Sequence, residues 1–188
     1  MSRYAADVTV ASVVAIRAAE RRRSVTVPTP LVAFALVNLG GVVATILLGR
    51  FHLALYGIPA FTLAVWVSAR VFARQARTEG VQVAIRPWAL TAAALCLGAM
   101  GASRAGVLLD IAVISAVGPF LAQAAGLWLF GRWAGSDELR TAAGVMVVAS
   151  LLIGSVATGD VAVALQFGVY GTVLLAAARL VTMRTAPA

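Results

Sequence analysis

The chain has 188 residues, of which 62% are hydrophobic and only 12% charged, and its mean hydropathy is +0.97. A water-soluble domain is about half apolar and a quarter charged, so this composition excludes an ordinary soluble globule and points to lipid as the solvent. The net charge of +8 comes from arginines that lie between apolar runs, a distribution explained by membrane topology and unlike a nucleic-acid surface.

Residues 1–30 read as a cytoplasmic or interfacial N-terminal segment. Val8–Ile16 is apolar but short, and Arg17, Glu20, Arg21, Arg22 and Arg23 follow it. A signal peptide has the opposite order, with its positive charge first. Arg21, Arg22 and Arg23 would hold this segment against anionic lipid headgroups, or else leave it a solvated tail. The two prolines of Val27-Pro28-Thr29-Pro30 then mark the entry to the first membrane helix.

From Leu31 onward the apolar runs are regular. A hydrocarbon core roughly 30 Å thick takes about 20 helical residues. Spans are predicted at 31–49, 53–72, 88–103, 107–131, 141–158 and 161–180, the third and fifth being short with soft ends. The fold class is all-α: a polytopic transmembrane bundle of about six spans in three hairpins, occupying 31–181, with a tail at 182–188.

Arginine sets the orientation. Arg3, Arg17, Arg21, Arg22 and Arg23 precede the first span, and Arg70, Arg74, Arg77 and Arg86 surround the second connection. Arg132 and Arg140 flank the fourth connection, and Arg179 and Arg184 the end. Six crossings place all of these on one side and leave only Arg50 and Arg104 on the other. Basic residues are retained in the cytoplasm, so both termini are expected there. All fifteen basic residues are arginine, as a high-GC bacterial genome would favour, and the expected location is a bacterial cell (inner or plasma) membrane. In each hairpin's second helix a glycine precedes an apolar run ending in arginine: Gly57 with Arg70, Gly118 with Arg132, Gly168 with Arg179. Either a triplicated hairpin or a common helix design gives this pattern.

Side chains that lipid rejects are the candidates for function. Asn38 and Gln123 each lie about two turns from the cytoplasmic ends of their helices, and would meet at one depth if spans one and four are adjacent. Gln166 and Tyr170 share a face of the sixth helix. Together the four could line a polar cavity for a small neutral or amphipathic solute; the alternative is interhelical hydrogen bonds worth about 0.6 kcal/mol each. Arg50, His52, Arg104, Asp110 and Asp160 form an external charged cluster, in which Asp110 is close enough to pair with Arg104. That pair serves either as a structural cap or as a ligand or proton site. His52 is the only histidine. Pro59 and Pro119 bend their helices and free a carbonyl. Gly40, Gly41, Gly98, Gly101, Gly168 and Gly171 allow helices to approach closely.

Specific chemistries drop out one by one. Cys96 is alone, so neither a disulfide nor a multi-cysteine metal site forms within the chain. Gly101-Ala102-Ser103 resembles the nucleophile segment of rhomboid proteases, but the sixth helix has no histidine to activate the serine. Thr158-Gly159-Asp160 resembles part of the intramembrane aspartyl protease motif, with Ala157 where the first glycine should stand. Seven acidic residues leave almost no ligands for Mg²⁺-assisted phosphate chemistry, and no glycine-rich nucleotide loop follows a strand. The three-hairpin layout is similar to small bacterial membrane proteins linked to acid resistance, yet their tryptophan-proline-glycine turns are missing. No family is identified, and neither a cofactor, a metal nor an enzymatic activity is expected. Two roles remain. The preferred one is small-solute transport or binding, because a kink and a buried amide coincide in the fourth span. The alternative is a non-catalytic accessory or scaffold subunit that docks a membrane protein partner or a second copy of itself.

Overall fold

A computed structural model describes residues 28–79 and 112–185, with isolated positions at 12, 13, 15, 16, 98, 99, 101, 108 and 109. Five long helices and no strands occur among the described residues: α1 (Thr29–Leu48), α2 (Leu53–Glu79), α3 (Ala112–Ala134), α4 (Asp137–Val156) and α5 (Gly159–Thr185).

Local chemistry fixes their ends. Pro28 is the N-cap residue of α1 and Pro30 lies in its first turn, where a missing backbone N–H costs nothing because that turn has no helical acceptor for it. At the other end Gly49 takes a φ of +70°, a left-handed conformation that glycine adopts without strain, and its N–H reaches back 2.9 Å to the Thr45 carbonyl. A single 3₁₀ turn, Arg50–His52, hands the chain to α2. Ser136 caps α4, its side chain accepting from the Leu139 N–H at 3.4 Å. Asp137 and Glu138 occupy the first turn there, where the helix dipole favours negative charge.

Four stretches are long and apolar enough to cross a membrane: α1, residues Leu55–Arg74 of α2, α4, and Gly159–Met183 of α5. Their apolar surface faces outward, with Ile46 at 73% and Val156 at 82% exposure. In water such continuous exposure drives aggregation; against lipid chains it is the stable arrangement. These are the features of a membrane protein. The expected third span, 88–103, lies outside the described residues apart from Gly98, Ala99 and Gly101, and α3, over the expected fourth span 107–131, is not among the four stretches, so four candidate crossings stand where six were expected. The N-terminal segment 1–30, with Arg21, Arg22 and Arg23, is likewise outside them except at Ser12, Val13, Ala15, Ile16 and residues 28–30. Where helices are described, several outrun the expected spans. α2 continues to Glu79 instead of 72, α4 begins at Asp137 instead of 141, and α5 continues to Thr185 instead of 180. Hydropathy marks where lipid ends, but arginine is a good helix former and lets the backbone carry on.

Helix α5 is central: it packs along α1 and α4 and touches α3, while α2 lies on α1 and α3 on α4. Glycine permits the closest approaches. A Cβ at Gly41 would come within 2.6 Å of Phe167 Cδ1, and one at Gly171 within 2.6 Å of Leu39 Cγ and 3.1 Å of the Ala35 carbonyl oxygen. Between α3 and α4, a Cβ at Gly154 would come within 2.7 Å of Val117 Cγ2. Gly40 gives way to the Tyr56 hydroxyl, which donates to the Val37 carbonyl at 2.6 Å. Gly168, Gly98 and Gly101 have ordinary room around them, so close contact needs glycine at only three of the six expected positions. The contacts make α1 antiparallel to both α2 and α5, and α4 antiparallel to both α3 and α5. Arg70, Arg74, Arg77, Arg132, Arg140 and Arg179 therefore gather at the end where α1 starts, while Arg50 stands at the other.

Candidate functional site

The best-defined polar arrangement in the interior centres on Tyr170, fully buried on α5. Its hydroxyl donates to the Phe120 carbonyl of α3 at 2.8 Å and lies 2.8 Å from Ser150 Oγ of α4, with the Met146 carbonyl at 3.4 Å. A phenol has one proton, so with that proton on the Phe120 carbonyl, Ser150 donates to the phenol oxygen. The ring packs edge-on against Phe120 at 5.2 Å, and Phe120 meets Phe167 in the same way at 4.8 Å. Its hydroxyl thereby joins α5 to both α3 and α4.

The three amides differ. Asn38 is fully buried on α1, and its Nδ2 donates back to the Phe34 carbonyl at 2.8 Å, leaving Oδ1 without a partner. Gln123 is half-buried on α3 with Nε2 unpartnered. Gln166, one turn before Tyr170, is fully buried with neither amide atom bonded. Among the described residues α1 and α3 share no packed interface. Asn38 and Gln123 are therefore not brought together across a common helix contact. The sequence places them at comparable depth, but α5 takes the place beside α1.

A separate cavity of about 700 Å³ runs between α1 and α5, and none of these four residues lines it. Its walls are Val42, Thr45 and Ile46 from α1 with Val161, Leu165 and Val169 from α5, and Asp160 stands at one end. Thr45 and Thr172, the hydroxyls in its wall, donate to the Gly41 and Gly168 carbonyls of their own helices at 2.7 and 2.9 Å. The groove is apolar in effect as well as in composition.

Arg50, His52 and Asp160 do share one end of the bundle. Asp160 Oδ1 accepts the Arg50 backbone N–H at 3.2 Å, tying the α1–α2 turn to the start of α5, where the helix dipole also favours a carboxylate. His52 Nδ1 lies 3.2 Å from the Leu48 carbonyl, a hydrogen bond when that nitrogen carries the proton. Arg104 and Asp110, and with them the expected ion pair, lie outside the described residues, as do Cys96 and Ser103. Among the described residues no group of three or more His, Cys, Asp or Glu side chains could hold a metal ion.

Several partners had no signal in the sequence. Ser150 and Tyr56 sit in apolar runs without any pattern to single them out. The Trp66–Arg70 and Trp128–Arg132 pairs have a signal in their spacing, since a tryptophan four residues before an arginine shares its helix face. Arg70 lies 4.6 Å and Arg132 5.6 Å from the respective ring centroids.

Comparison with protein-family models, curated proteins and solved structures finds no match to this chain. The class it belongs to, an all-α membrane protein, therefore rests on its own helices and their outward apolar surface.

Proposed function

We propose that this chain is a six-span protein of the bacterial cell membrane, with both ends in the cytoplasm, serving as a non-catalytic accessory or scaffold subunit for a larger membrane partner. In this reading α1 to α5 supply five passes and the apolar run at 88–103 supplies the other. The arginine-bearing end faces the cytoplasm, because translocating arginine is costly. A reporter fused between residues 80 and 87 then stays cytoplasmic, and its appearance outside would remove the map.

One observation carries the role: the apolar groove between α1 and α5, beside contacts as close as those at Gly41, Gly171 and Tyr170. Its rim includes Ile46 and Val161, the latter 63% exposed. A partner's transmembrane helix gains steady van der Waals contact in such a groove, which is what drives helix association where lipid is as apolar as protein. The test is a photo-crosslinker at Leu165, in the groove, compared with one at Leu152 on the exposed face of α4. Joining of the Leu165 probe to one membrane protein in intact cells, with none at Leu152, is the expected result. A chain that reacts only with lipid at both positions, and runs alone in mild detergent, overturns the role.

Gln166 favours a second reading, solute binding. Leaving both amide atoms unpaired in a low-dielectric interior costs about 1–3 kcal/mol per group, and a small neutral molecule with a donor and an acceptor would satisfy both. The saturated hydroxyl of Tyr170 and the back-bonded amide of Asn38 argue against a cavity built from all four residues.

A further inference from the structure

The groove leaves unused a feature at the opposite end of the bundle. Arg70, Arg74 and Arg77 follow one another on α2 at four-residue and three-residue steps, which places them within about 60° of one another around the helix. Trp66 extends the same face by one turn. All four side chains are exposed, whereas Phe72, on the opposite side of α2, is 2% exposed. No carboxylate among the described residues pairs with these three arginines; the ion pair at this end joins Arg140 to Asp137.

Geometry relates this face to a bilayer surface. Helical side chains tilt toward the N-terminus of their helix, which on α2 means back toward the middle of the bundle. The Arg70 guanidinium accordingly folds back over the Trp66 ring, and Arg132 does the same over Trp128 on α3 at the same end. Indole settles at the boundary between hydrocarbon and water, one face apolar and its N–H wet. An arginine stacked on it is thereby held at the level of the lipid phosphates. Arg77 lies about 10 Å further along the axis, less its backward tilt, and so within reach of the surface potential, which decays over about 8–10 Å at physiological salt. Guanidinium also matches a phosphate with two parallel donors, which a mobile ammonium does not.

We propose that the Trp66, Arg70, Arg74 and Arg77 face of α2 is a binding site for anionic phospholipids, with Trp66 setting the depth and the arginines engaging the phosphates. The site rests on the reading of α2 as a membrane span but does not depend on the accessory role. In the full-length protein, purified in mild detergent and titrated with phosphatidylglycerol or phosphatidylcholine, native mass spectrometry counts the bound lipids. Wild type should prefer phosphatidylglycerol. The triple variant R70Q/R74Q/R77Q should lose affinity by about fivefold per arginine, up to ~125-fold for all three. R70K/R74K/R77K should recover most of the preference and shows that the altered chain still folds. R140Q removes an arginine off this face and should change binding less than fivefold. A triple glutamine variant that binds like wild type, or a wild type indifferent to lipid charge, overturns the site. Carbonate extraction of cell membranes separates the two claims: release of the wild-type chain sinks the spanning reading, while an inserted chain without lipid preference sinks only this one.

Discussion

Removing one oxygen atom tests whether the interior is closed. Tyr170→Phe deletes the hydroxyl that lies 2.8 Å from both the Phe120 carbonyl and Ser150 Oγ, and leaves the ring free to keep its edge-on contact with Phe120. Two interhelical bonds disappear. In membranes such bonds average about 0.6 kcal/mol each and reach ~1.7 at most. Part is recovered, because Ser150 can turn its hydroxyl to the Met146 carbonyl one turn back. The expected net loss is therefore about 1 kcal/mol. Equilibrium unfolding of the full-length protein in mixed micelles with rising SDS, followed by tryptophan fluorescence, measures it. A double-mutant cycle with Ser150→Ala should give a coupling of about 0.5–1 kcal/mol, since the two hydroxyls share one bond. A Tyr170→Phe protein as stable as wild type, with no coupling to Ser150, would refute the view that this junction holds α3, α4 and α5 together.

Other substitutions follow from the same contacts. Gly171→Ala places a Cβ 3.1 Å from the Ala35 backbone oxygen, which cannot rotate away, so α1 and α5 must separate; thermal denaturation should show a loss of about 1–3 kcal/mol. Gly144→Ala is its control: nothing lies within 4 Å of the added Cβ, and helix propensity should stabilise α4 by up to ~1 kcal/mol. Asp160→Ala frees the Arg50 N–H and should cost about 1 kcal/mol with faster hydrogen exchange at that amide, whereas Asp160→Asn keeps an acceptor and should lose less. Equal effects of the two would show that charge, not the hydrogen bond, matters there. Gln166→Leu removes two unpartnered polar atoms and should be neutral or stabilising by ~1 kcal/mol. A marked loss of stability would instead reveal a bound molecule and move weight to the solute-binding reading.

Much of this molecule could be read before any coordinates. Pro28 and Pro30 announce the start of α1, because breakers act through the backbone of adjacent residues, whereas α4 starts at the Ser136 cap, four residues before the apolar run that hydropathy marks at 141. The existence of long membrane-crossing helices follows from transfer free energy summed over some twenty neighbours, which is again a local quantity. Arginine's place relative to those runs is equally visible.

Which helix adjoins which was not legible. In water, an apolar stripe shows the side that must be hidden; in lipid, a helix is apolar all round, so hydropathy carries no inward direction. Depth alone lets Asn38 meet Gln123 only if spans one and four are adjacent; α1 lies against α5, where Gly41 and Gly171 let the backbones approach, and the Asn38 amide turns back to Phe34. For Tyr170 the sequence left a cavity wall and an interhelical hydrogen bond both open; its hydroxyl makes the latter, because Ser150 and the Phe120 carbonyl come to it from helices twenty and fifty residues away. Shape complementarity between helix surfaces decides those neighbours, and it exists only once the helices are assembled.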